Sequence, residues 1–125
     1  PAVIVSLLQG RDALCSDGVQ RRDFLHVADV ASAVVRLTQD DAQGIFNIGS
    51  GSAPPVRDLI LKAADKIGRA DLVRLGARKG GLEAPLVQAA TDRLWGELGW
   101  RPRFDLDSGL DDTIAWWRKQ SKALA

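Results

Sequence analysis

The chain has 125 residues, 46% of them hydrophobic and 26% charged, and a net charge of +1. That is enough for one domain with a core of its own, and it gives no reason to expect nucleic acid or an anionic membrane surface as a partner. A single cysteine and a single histidine exclude a disulfide framework and a protein-built zinc or iron–sulfur site, and the apolar runs are too short to span a bilayer. Pro1–Leu8 lacks the basic leader of a secretory signal, and one thiol suits a reducing compartment, so a cytoplasmic location is expected.

Ala2–Leu8 is apolar and ends at Gln9-Gly10, which fits either a buried helix end or a strand. Ala13–Cys15 reads as a short apolar strand closed by a turn at Ser16-Asp17-Gly18. Cys15 reads as a packing residue, since no basic neighbour in sequence lowers its pKa. Asp23–Val27 alternates and is rich in aromatic and β-branched residues, which predicts a strand. The period then changes. Val27, Val30, Ala31, Val34 and Leu37 recur at helical spacing, with Asp29 in the first turn, where a negative charge suits the helix dipole.

Ile45–Ile48 reads as an apolar strand broken only by Asn47. The following Gly49-Ser50-Gly51 is either a plain strand exit or a turn whose N–H groups converge on an anion. Val56–Ile67 is the clearest helix, with Val56, Leu59, Ile60, Ala63, Ala64 and Ile67 on one face and Gly68 as its stop. Pro54-Pro55 fixes its entry in place of a capping hydroxyl. Leu72–Leu75 predicts a strand, and Arg78-Lys79-Gly80-Gly81 a basic, flexible turn. Ala84–Leu98 is helical in its later part, with Asp92 as a candidate cap. Ser108-Gly109-Leu110-Asp111 has a capping form and opens a last helix in which Leu110, Ile114 and Trp117 align and Trp116 does not. Strands and helices in this order predict an α/β fold, a small sheet with packed helices.

Arg21 and Arg22 stand where the chain enters the first of the longer elements. A guanidinium fork held at a strand mouth can bond two phosphate oxygens at once. The residues alone leave that reading open beside a surface arginine paired with Asp17 or Asp23. His26 reads as a hydrogen-bonded structural residue.

Three stretches carry a family resemblance. R-D-F-L-H-V-A-D-V-A at residues 22–31 resembles the R-D-F/Y-[aliphatic]-H-V-x-D-[aliphatic]-A signature of the extended short-chain dehydrogenase/reductases, the nucleotide-sugar epimerases and dehydratases. F-N-I-G-S-G at 46–51 is similar to their F-N-I/V-G-S/T-G, and L-G-W-R-P at 98–102 to their L-G-W-x-P. Their order and spacing also match, over most of the chain.

The resemblance implies a Rossmann-type parent enzyme whose catalytic Tyr-x-x-x-Lys and glycine-rich cofactor loop precede this stretch. The chain has no tyrosine and no G-x-G-x-x-G. Residues 1–125 are therefore expected to be the C-terminal, substrate-binding portion, partnered by an N-terminal cofactor domain. NAD or NADP belongs to the parent, and none is expected on this portion alone, which should not turn over. The resemblance makes Arg22 and Arg78 the diphosphate ligands of an NDP-sugar, and gives Ala13, Leu14 and Cys15 backbone contact with its base. It favours a helix end for Ala2–Leu8, with Gly10 as its cap. Ser16, Gly81 and Ala90 depart from the pattern, where glycine, aspartate and aspartate are usual. Strand edges that normally have neighbours would be bare, so a homo-oligomer is expected. Two alternatives stay open: a non-catalytic nucleotide-sugar-binding or regulatory module, and a reductase of a non-sugar carbonyl.

Overall fold

The computed structural model describes residues 1–123. Its elements run α1 (Ala2–Leu8), β1 (Ala13–Leu14), β2 (Arg21–Arg22), α2 (Val27–Gln39), α3 (Val56–Ile67), β3 (Val73–Arg74), β4 (Leu86–Val87), α4 (Asp92–Gly96) and α5 (Leu106–Ala123). The α/β class forms as expected. The strands make two separate parallel pairs, β1 with β3 and β2 with β4.

Of the two readings of the first stretch, the helix forms. Its end is a Schellman arrangement, in which Arg11 N–H donates to the Ser6 carbonyl at 2.9 Å and Gly10 N–H to that of Leu7 at 3.1 Å. The helix α3 follows the predicted bounds. Its first N–H groups need no capping side chain, because the carbonyl of Gln20 accepts from Val56 and that of Gly18 from Arg57, each at 2.9 Å. At its other end Gly68 takes φ +78, a conformation open to glycine at little cost.

The apolar face of α3 joins two clusters. Ala63 packs with Ile4 of α1 and with Leu110 and Ile114 of α5, and Trp117 lies against them. Ala64 packs with Leu7, Ala13 and Cys15. A third cluster ties Ala33 of α2 to Leu94 of α4 and to Leu98 and Trp100 beyond it. On the outside, Lys66 of α3 bonds Asp107 and Asp111 of α5, at 2.9 and 2.7 Å. Those bonds, Asp111 first, raise the pKa of the Lys66 ammonium, and Lys66 followed by Lys62 holds Asp107 below the usual carboxylate range. Pairs this exposed are screened and add little stability.

Several expected details shift. The strand read at Asp23–Val27 lies instead at Arg21–Arg22, where β4 supplies a partner, and Val27 already opens α2. Residues 45–48 form no strand among the described residues; Ile45 is 85% exposed, and the segment is held by Arg93, which donates to the carbonyls of Ile45 and Gln43 and lies over Phe46. Asp92 does not cap α4; Thr91 precedes the helix and makes no side-chain cap bond. The capping pair of the last helix lies three residues earlier in sequence than expected: Asp105 and Ser108, not Ser108 and Asp111, exchange bonds, with Ser108 N–H donating to Asp105 Oδ1 at 2.8 Å and Asp105 N–H to Ser108 Oγ at 3.2 Å.

The apolar stripe of α2 also differs from expectation. Val27, Val30 and Val34 are exposed, Val27 by 76%, while Asp29 and Ala33 are the buried positions. The helix is apolar on two sides, and this chain covers only one. No helix among the described residues is long and apolar enough to cross a membrane.

Candidate functional site

The two aspartates of the 22–31 stretch have structural duties that the sequence does not announce. Asp23 sits just past β2, where its N–H donates to the Val87 carbonyl at 3.0 Å. That fixes its carboxylate against residues 49–51. Oδ1 accepts from Ser50 N–H at 2.8 Å and from Ser50 Oγ at 2.6 Å, and Oδ2 accepts from Gly51 N–H at 3.0 Å and Ala89 N–H at 3.2 Å. The turn does converge its N–H groups on an anion, and the anion is the chain's own. Gly49 packs so closely that a Cβ there would lie 2.7 Å from Asp23 Oδ2.

Asp29 is fully buried and receives Arg103 N–H on Oδ1 and Phe104 N–H on Oδ2, both at 3.0 Å. Thus one short stretch holds the other two motifs in place, 46–51 through Asp23 and the segment following 98–102 through Asp29. His26 completes the frame. Its Nδ1 accepts from Ala28 N–H and caps α2, which leaves the ring proton on Nε2, 3.2 Å from Asp112 of α5. The ring also lies 4.0 Å from that of Phe104. The structural reading of His26 therefore holds.

The two arginines of β2 point to different partners. Arg21 Nε donates to the Ala53 carbonyl at 2.7 Å. Arg22 Nη1 donates to the carbonyls of Arg21 and Ala84, and Nη2 pairs with Glu83, all at 2.8 Å. The Arg22 side chain is 24% exposed and Glu83 55%. Its partner is neither Asp17 nor Asp23 but a carboxylate 61 residues on, brought over by the β2–β4 pairing.

On the other strand pair, Ala13 and Cys15 face inward and Leu14 is half exposed. Cys15 N–H donates to the Arg74 carbonyl and Cys15 C=O accepts from Arg78 N–H, each at 3.0 Å. Burial raises the Cys15 thiol pKa and the charge of Arg78 opposes it. A basic residue is therefore near in space though not in sequence, and burial still dominates, which disfavours the thiolate a nucleophile needs. One exposed segment, running from β3 to β4, touches both predicted groups: Arg78 at Cys15, and Glu83 with Ala84 at Arg22.

A cleft of about 1010 Å³ opens elsewhere, lined by Phe24, Leu25, His26, Leu59, Phe104 and Leu110 among others, and by none of Arg22, Arg78, Ala13, Leu14 or Cys15. No group of three or more His, Cys, Asp and Glu able to hold a metal gathers among the described residues. The 49–51 turn does not fit a dinucleotide pyrophosphate, since Asp23 already takes its N–H groups. What the arrangement offers is a fork that binds oxygen anions, set in a braced frame.

Comparison with known proteins agrees with this frame. The model of the NAD dependent epimerase/dehydratase family matches residues 1–49. The UDP-glucose 4-epimerase GEPI48 of Cyamopsis tetragonoloba is 31% identical over 116 residues, which are 88% of this chain and 33% of that protein. The chain thus spans about a third of the length of the curated relatives it matches. The fold superimposes on dTDP-glucose 4,6-dehydratase of Bacillus anthracis, solved with NAD, at a TM-score of 0.87 and 22% identity, covering 98% of this chain and 39% of that one. It also superimposes on UDP-glucose-4-epimerase of Stenotrophomonas maltophila, solved with NAD and formylated UDP-arabinopyranose, at a TM-score of 0.79 and 29% identity, covering 98% and 41%. Family match, relatives and Rossmann-type neighbours coincide with the three motifs and the fold that joins them: the chain resembles the NAD-dependent epimerase/dehydratase family in sequence and in fold.

Proposed function

We propose that this chain is the substrate-holding portion of an NAD(P)-dependent nucleotide-sugar epimerase or dehydratase, and that Arg22 grips the diphosphate of the NDP-sugar. The observation that carries this is the filling of the Arg22 fork: one carboxylate and two carbonyl oxygens lie at 2.8 Å from its outer nitrogens, at a half-open strand mouth. Planar oxygen groups at that spacing are what a bidentate guanidinium selects. Arg78, on the exposed segment that also carries Glu83, is the second ligand, and the backbone around Ala13, Leu14 and Cys15 lies beside the base. Holding remote parts of a substrate positions its reacting carbon. Hydride transfer to NAD or NADP belongs to groups outside these residues, in a cofactor domain that this portion adjoins. The setting is cytoplasmic.

A guanidinium–diphosphate bond set contributes about 2–3 kcal/mol. In the family-length enzyme, Arg22→Ala is therefore expected to raise the substrate KM by about 30- to 150-fold. Unchanged kinetics would remove Arg22 from the site. Calorimetry with UDP-, GDP- and dTDP-sugars separates a sugar-nucleotide site from one for a non-sugar carbonyl.

The two-stranded pairs leave unpaired strand edges. A second copy of this chain is their expected cover, by edge pairing or strand exchange. Sedimentation at high concentration should show a species heavier than the monomer, and a clean monomer contradicts it.

A further inference from the structure

We infer that Glu83 is a latch on Arg22, a built-in competitor that an incoming diphosphate must displace; this rests on the clamp reading above. Glu83 Oε2 and the Ala84 carbonyl, from one turn of chain, take both outer nitrogens of Arg22 at 2.8 Å. A carboxylate on the guanidinium fork stands in the place of a phosphate oxygen pair and presents the same chemistry. Arg22 thus starts with its charge partly neutralised and its donors occupied.

The segment bearing the latch is built to leave. Residues 75–84, between the paired strands β3 and β4, are exposed without interruption. Leu82, next to Glu83, has no cover, and a Cβ built on Gly76 or Gly80 meets nothing within 4 Å. Few packed contacts hold the segment, so opening it costs little. Arg78 lies on the same segment, joined to Cys15 only through its backbone N–H. Release of Glu83 therefore exchanges one anion for another at Arg22 while the segment still carries a cation able to meet the newcomer. A doubly charged diphosphate overcomes the latch more readily than a single carboxylate or a phosphodiester does, which makes Glu83 a residue of specificity.

The test is calorimetric titration of UDP into the 125-residue chain. Glu83→Gln is expected to tighten UDP by about three- to fivefold, the scale of a partly exposed ion pair. Glu83→Asp, which keeps the charge, should stay near wild type. In an Arg22→Ala background, Glu83→Gln should change nothing. Unchanged or weaker binding in Glu83→Gln, with binding still lost in Arg22→Ala, overturns the latch and leaves the clamp standing. Binding that survives Arg22→Ala overturns the clamp, and the latch with it.

Discussion

Asp29→Asn is expected to lower the unfolding free energy by about 2–4 kcal/mol, read as a shift in the urea midpoint at constant slope. The carboxylate is fully buried, and its two oxygens each accept a backbone N–H, from Arg103 and from Phe104. An amide keeps one acceptor and turns an NH₂ toward the other N–H, so a buried donor is orphaned beside a second donor. Alanine orphans both. The loss falls on the packing of α2 against the 98–104 stretch, where Leu94, Leu98 and Trp100 meet Ala33. A change under about 0.5 kcal/mol, the scale of an ordinary surface substitution, contradicts this role.

Asp23→Ala is expected to cost about 3 kcal/mol, for a related reason with a different local signature. Four donors converge on that carboxylate, from Ser50 N–H and Oγ, Gly51 N–H and Ala89 N–H. Deleting it leaves the 49–51 turn without its anion. Hydrogen exchange should accelerate at the amides of Ser50, Gly51 and Ala89 well before that of α3, whose N–H groups are met independently by the carbonyls of Gly18 and Gln20. Equal protection at those three amides in the variant and the wild type contradicts the brace.

The legible parts of this fold are those set by local chemistry. The helix α3 forms over its predicted span because its apolar face, the prolines before it and Gly68 after it all act within one turn of their own positions. The face of α2 was misread for a physical reason. Val27, Val30 and Val34 have helical spacing, but periodicity reports that a face is apolar, not what covers it. Ile45–Ile48 has the composition of a strand and lacks a neighbour to pair with.

The site was legible in its residues and not in its connections. Arg22 stood out as a fork at a strand mouth, yet its partner Glu83 is 61 positions away and arrives only through the β2–β4 register. From sequence the two aspartates read as a strand residue able to pair an arginine and as a helix-dipole charge. Their distant partners follow from the tertiary fold, though two acids spaced six apart around a half-buried strand-to-helix turn are a usable signal. Cys15 gained a cationic neighbour in Arg78 by the same route.

The most direct measurement of the diphosphate clamp compares UDP with UMP by calorimetry, in the wild type and in Arg22→Ala. The base and ribose are common to both ligands, so the ratio of affinities isolates the second phosphate. The wild type should prefer UDP by about tenfold or more, as a charged hydrogen-bond set provides, and the variant should bring that ratio close to one. A preference for UDP that persists undiminished in Arg22→Ala would place the diphosphate somewhere other than the mouth of β2.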